Sequence, residues 1–371
     1  MKIERQDRYF KHPIREYKEY KRIIFEPGIV TRIKLNRPKH LNVKSHMMFG
    51  ELEDAFDKAS QDPECRVIVL SGEGSCFSAG DDTFGLTPES APTLVYEATP
   101  EELVKEYGSE RAVWNQYNIE HDYYVDWWLQ SKLRTVPKPT IAMVHGYCLM
   151  GAFSSACAMD VIFAAEDALF LSGRPTGTAL WDWGPRKALE VAYEHRFVTA
   201  REALELGMVG RVFPDYETLE KETLDYAYRV AKQNPATLLR VKDLYLQVRD
   251  HQGFTAAYEG AREPFADMWR RNAINGNANR YEGKGMARTP VALANLKTKL
   301  ESEGAEVPPL VNSALERAKA RDDRASWQKA LHQEWRDPER IARNEAEAKA
   351  FDDGVREFAE KEAAEKLKYG R

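Results

Sequence analysis

The chain has 371 residues, of which 43% are hydrophobic, and a formal net charge of −5. That length predicts a core of roughly 250 residues with an appendage, and the composition excludes a fibrous or disordered class. The charge gives no ground for a nucleic-acid partner. No stretch reaches about eighteen apolar residues, and Met1–Tyr20 has no apolar run of the secretory kind. The expectation is a cytoplasmic protein without a membrane partner.

In chain order, Gly28–Leu35, Arg66–Leu70 and Thr140–Val144 read as buried strands, each ending near a glycine-bearing or Asn-Arg-Pro turn. Met47–Ala59 places Met48, Leu52 and Phe56 four apart, the apolar face of a helix between the first two strands. Asp160–Ala165 and Ala168–Leu171 suggest two further short strands. This alternation predicts an α/β core with parallel strands. From Thr199 a helix with a Thr N-cap and a Gly stop leads to the strand-like Val209–Phe213, and helices continue from Tyr216 to about Trp269. Beyond Arg288 the chain is rich in Ala, Glu, Lys and Arg, which reads as a water-facing helical extension. Cys65, Cys76, Cys148 and Cys157 form no C-x-x-C pair and have no zinc-type spacing, so reduced thiols and no metal are expected.

Two turns follow hydrophobic strands and carry glycine: Ser71-Gly72-Glu73-Gly74-Ser75-Cys76-Phe77-Ser78-Ala79-Gly80-Asp81-Asp82, and His145-Gly146-Tyr147-Cys148-Leu149-Met150-Gly151-Ala152. Glycine permits close backbone approach, and exposed backbone N–H groups bind anions. Together with Leu35-Asn36-Arg37-Pro38-Lys39-His40-Leu41-Asn42, Pro137-Lys138-Pro139-Thr140 and Ala200–Pro214, they resemble the enoyl-CoA hydratase/isomerase, or crotonase, superfamily, in the expected order over about residues 22–265.

The resemblance implies an α/β crotonase-type ββα spiral core at 1–200, a helical trimerisation region at 201–270 and, beyond the family's usual extent, a charged helical extension at 271–371. It implies an acyl-CoA substrate, with coenzyme A as part of the substrate and no separate cofactor, and assembly as a homotrimer or hexamer. It further implies an oxyanion hole formed by the backbone N–H groups of Asp81 and Gly151, and places Lys39, Leu41 and Ala79 near the coenzyme A. For Lys39 and Leu41 a solvated turn is the competing reading.

Both glutamates that hydratases of this family use as an acid/base pair are missing. Ser154 stands at the first position, and the loop Leu171–Gly177 has no acid for the second. Four side chains are candidates to replace them. Asp182, between Trp181 and Trp183, is either an acid/base of raised pKa or an N-cap or N-terminal charge for the helix that Pro185 helps start. Arg174 either holds a substrate carboxylate or pairs on the surface. Ser154 either bonds substrate or its own backbone. His121 lies in an aromatic-rich insertion at about 84–130, where Tyr117, His121, Tyr124 and Trp128 trace one helical face, either as core packing or as a roof over the acyl pocket. His145 reads as structural. Three functions follow: an enolate-forming hydratase or isomerase on an unsaturated or cyclic acyl-CoA, a hydrolase opening a cyclic β-keto-acyl-CoA, and a non-catalytic acyl-CoA-binding or assembly protein.

Overall fold

The computed structural model describes residues 17–81, 100–108, 128, 132–172, 179–257 and 288–322. The chain forms two compact units, Met1–Tyr258 and Glu259–Arg371. The described strands are β1 (Ile23–Glu26), β2 (Val30–Leu35), β3 (Val67–Gly72), β4 (Thr140–Val144), β5 (Tyr147–Leu149), β6 (Val161–Ala165), β7 (Leu169–Leu171), β8 (Val198–Thr199) and β9 (Arg211–Phe213). The helices of the first unit are α1 (His46–Gln61), α2 (Pro100–Tyr107), α3 (Gly151–Cys157), α4 (Ala179–Trp183), α5 (Pro185–Glu194), α6 (Ala200–Glu205), α7 (Tyr216–Ala231) and α8 (Pro235–His251).

The main sheet runs β1-β2-β3-β4-β6-β9. Its strands from β2 onward are parallel, and only β1 is antiparallel, to β2. Side chains alternate across the strands, and both faces are buried. Ile33, Ile68, Leu70, Ala142, Val144 and Ile162 point to the face where α1 lays Met48, Phe49, Leu52 and Phe56. Val67, Val69, Ile141, Met143 and Phe163 point to the other, closed by Leu219 and Ala227 of α7. This two-sided burial explains why the strands read as continuous apolar runs. A second sheet, β5-β7-β8, branches off after β4.

The helices expected from Tyr216 onward include α7 and α8. Asn234 caps α8 through its side chain, accepting from Thr237 N at 3.2 Å, and Pro235 occupies the first turn. In the second unit α9 (Arg288–Ser302) and α10 (Pro309–Asp322) pair as a hairpin, with Leu293, Leu296, Leu300 and Val311 buried. The expected extension therefore has a small apolar seam as well as charge. Trp327, Trp335 and the rest of the tail lie outside the described residues. No helix among the described residues is long and apolar enough to cross a membrane.

Candidate active site

Because β2, β3 and β4 are adjacent and parallel, the three turns that follow them emerge side by side at one edge of the sheet. In open parallel sheets this carboxyl edge is where ligands bind. Backbone bonds zip the turns together: Ala79 N donates to Leu41 O at 2.8 Å and Lys44 N to Gly80 O at 2.8 Å. Phe77 N donates to His145 O at 2.8 Å, Ser78 N to Tyr147 O at 2.9 Å and Leu149 N to Ser78 O at 3.1 Å. Asn42 is the pin. Fully buried and at φ 52°, it donates from Nδ2 to Glu73 O at 2.8 Å and Cys76 O at 2.9 Å, and its Oδ1 accepts from Arg37 N at 2.8 Å.

Asp81 and Gly151 meet at the end of this zipper. Gly80 has φ 105°, and a side chain there would run into Leu149 O, so the glycine is what lets the second and third turns touch. Met150 precedes α3 at φ 53°, a costly value for a residue with a side chain, with its N–H held by Leu171 O at 2.8 Å. Within the described residues neither the Asp81 N–H nor the Gly151 N–H donates a hydrogen bond.

The Asp81 side chain does not point away from this site. Its carboxylate lies against Gly151, where a Cβ would overlap it, and pairs with the ammonium of Lys44, Nζ to Oδ1 3.4 Å. Lys44 is 1% exposed and also donates to Gly151 O at 2.8 Å and Ser155 Oγ at 2.7 Å. Burial draws its pKa below the ordinary lysine value, and the nearby Asp81 carboxylate opposes that shift.

Asp182 sits on α4 and is not a helix cap, since Gly184 holds the N-cap position of α5. Its Oδ1 faces Arg249 Nη2 at 3.5 Å, and the thiol of Cys157 hydrogen-bonds the carboxylate. Burial raises its pKa to about 6 against the lowering effect of Arg249. Cys157 ends the helix that Gly151 begins, about 9 Å along its axis at the ordinary helical rise, so the Asp182 carboxylate stands at the far end of α3 from Gly151. Trp183 packs on Phe153 of the same helix at 5.3 Å, fixing α4 against it.

Ser154 bonds its own helix, Oγ to Met150 O at 3.4 Å. Lys39 is exposed in the turn Pro38–His40, Leu41 is 40% exposed, and Ala79 is joined to Leu41 through its N–H. His145 is buried, with Nε2 2.9 Å from Gly74 O and its ring on Tyr216 at 4.5 Å, and burial lowers its pKa. Its role is structural. Trp128 is core packing, wedged edge-on between Phe49 at 6.3 Å and Phe56 at 6.2 Å. His121, Arg174, Tyr117 and Tyr124 lie outside the described residues. All four cysteines are free and buried.

Lys44 and Ser155 are absent from the sequence-derived set. A lysine beside a turn reads as solvated, since lysine is almost never fully buried unless paired. The only available signal was Asp81, an acid at a site whose burial demands a cation.

Family models described as enoyl-CoA hydratase/isomerase match residues 104–284 and 30–170. A Mycobacterium tuberculosis protein named "Putative enoyl-CoA hydratase EchA13" is 33% identical over 260 residues, covering 66% of this chain and 78% of its own. Human mitochondrial Delta(3,5)-Delta(2,4)-dienoyl-CoA isomerase is 29% identical over 235 residues, covering 60% of this chain and 67% of its own. The crystal structure of a probable enoyl-CoA hydratase from Mycobacterium smegmatis matches with a TM-score of 0.55 and 28% identity, over 70% of this chain and 97% of that one.

Proposed function

Given that the chain belongs to the enoyl-CoA hydratase/isomerase family, we propose that it binds an unsaturated or cyclic acyl-CoA and carries it through an enolate. The thioester oxygen is held by the N–H groups of Asp81 and Gly151. The observation that carries this reading is that, among the described residues, neither amide donates a hydrogen bond and the zipped turns bring both to one edge of the sheet. Removing a proton beside a thioester, or adding a nucleophile to its conjugated double bond, puts negative charge on the carbonyl oxygen. Two preorganised donors stabilise that charge by roughly 3–4 kcal/mol each.

Asp182 is the proton-transfer group of this reading. Its raised pKa of about 6 suits general acid/base work near neutral pH. Its place beside Cys157, at the far end of α3 from Gly151, favours proton transfer at acyl carbons remote from the thioester over attack beside it. Shifting conjugated double bonds, as the name of the human relative describes, is chemistry of that kind. Lys39 and Leu41 on the exposed turn serve the coenzyme A moiety. A homotrimer or hexamer fits Val241, Leu244, Tyr245 and Val248, an exposed apolar stripe on α8.

The test is a panel of enoyl-CoA, dienoyl-CoA and cyclic β-ketoacyl-CoA thioesters followed by absorbance and mass spectrometry. Change of absorbance without change of mass indicates isomerisation, and gain of one water by a linear enoyl-CoA indicates hydration. A ring-opened acid would favour the hydrolase. Tight binding with no turnover of any of them would leave a binding protein and sink the enzymatic reading.

A further inference from the structure

The buried ammonium of Lys44 is not explained by the reaction proposed above. It donates hydrogen bonds to the backbone carbonyl of Gly151 and the hydroxyl of Ser155 and forms an ion pair with the carboxylate of Asp81 at 3.4 Å. It also stands over the Phe49 ring at 4.6 Å. An ammonium has three donors and no acceptor, so this surrounding is complementary to the charged form. Two of the three partners belong to the residues whose N–H groups hold the thioester oxygen.

We propose that Lys44 is a positioning residue of the oxyanion site, which fixes Asp81 and Gly151 against one another and neutralises the Asp81 carboxylate beside the developing enolate. This inference rests on the acyl-CoA reading above. A carboxylate on a donor residue opposes the negative charge that the donor is meant to stabilise, and in a site shielded from water the opposition is strong. Pairing it with Lys44 removes the conflict. The same ammonium holds the Gly151 carbonyl, and Ser155 Oγ donates to that carbonyl at 2.9 Å, so the peptide that opens α3 is held from two sides. Among the other groups near Lys44, Cys148 is a thiol that burial pushes upward and keeps neutral. Asp81 is thus the charge that Lys44 answers.

A dependence of Lys44 on the Asp81 carboxylate separates this role from plain core packing. Acetoacetyl-CoA is a suitable probe, because its enolate absorbs in the near ultraviolet and reports oxyanion stabilisation without turnover. Wild-type protein, Lys44→Met, Asp81→Asn and the double variant are titrated with it, recording both affinity and the enolate fraction at fixed pH. Lys44→Met is expected to lower the enolate fraction about tenfold or more, the scale of a misplaced or opposed oxyanion contact. The double variant is expected to recover most of that loss, falling short of Asp81→Asn only by what the bond to the Gly151 carbonyl contributes, a non-additive pattern that a packing role does not produce. An unchanged enolate fraction in Lys44→Met overturns the proposal. So does an equal loss with and without the Asp81 carboxylate. Should Lys44→Met not fold, the double variant, which leaves no unpaired charge, is compared with Asp81→Asn, and an enolate fraction about tenfold lower or more in the double variant overturns it. Failure of the wild type to bind acetoacetyl-CoA refutes the acyl-CoA reading and this inference together, whereas binding with an unresponsive enolate fraction refutes the inference alone.

Discussion

The Asp81 carboxylate packs on the backbone of Gly151 so closely that a methyl group at residue 151 would overlap both of its oxygens. Gly151 begins α3, where alanine is ordinarily the better helix former. Gly151→Ala is nevertheless expected to lower stability by about 1–3 kcal/mol, the scale of overpacking. It is also expected to reduce kcat at least about tenfold by driving Asp81 off Lys44. Chemical denaturation and steady-state kinetics check both. A stabilised and fully active variant would contradict the packing.

Asp182 should titrate visibly. Its folded pKa is raised to about 6 from a usual 3.8 by burial, so the folded state holds a proton that the unfolded state has already lost. Stability from this group is complete below about pH 4 and falls as pH rises through 6, by on the order of 3 kcal/mol. Asp182→Asn should flatten that part of the stability-pH curve. If Asp182 transfers the proton, the same variant lowers kcat at least about a hundredfold and removes a rate limb near pH 6. Retained turnover in a folded Asp182→Asn protein would remove it from the mechanism.

Trp128 is 2% exposed and filled in by Phe49 and Phe56 of α1. Trp128→Ala is expected to cost about 3–5 kcal/mol, as for other large aromatic deletions from a core. The midpoint of urea unfolding measures this, and a loss below 1 kcal/mol would mean that the insertion is peripheral to the core.

Lys39 is exposed and its contribution should be confined to ligand affinity. Lys39→Ala is expected to raise KM for a coenzyme A thioester severalfold to about tenfold with kcat unchanged, the sign of uniform binding lost. An equal KM for wild type and variant would return Lys39 to an ordinary solvated turn.

The parallel core was legible wherever burial on both faces wrote an apolar run: β2, β3, β4 and β6 lie within a residue or two of where their sequences place them. Among the short strands β7 and β9 fall within Ala168–Leu171 and Val209–Phe213, where the sequence places them, whereas β1, β5 and β8, of two to four residues each, were missed; β5 and β8 pair with β7, some twenty or more residues away, which no local pattern encodes. At the site, the motif around Ala79-Gly80-Asp81 and the glycine at 151 pointed to backbone chemistry. What stands behind them was hidden, because Lys44 and Ser155 look like ordinary polar residues until the fold buries them against Gly151. Asp182 is not the cap because Gly184, two residues on, takes the N-cap of α5, while the Arg249 that Asp182 faces lies on α8, far away in sequence.

A crystal structure with a bound acyl-CoA or a non-reactive thioester analogue tests the central claim most directly. The account predicts the thioester oxygen at roughly 2.7–3.1 Å from both the Asp81 and the Gly151 nitrogens, with the Lys44 to Asp81 pair intact behind them. A thioester oxygen bonded elsewhere, with either amide left unused, would contradict it.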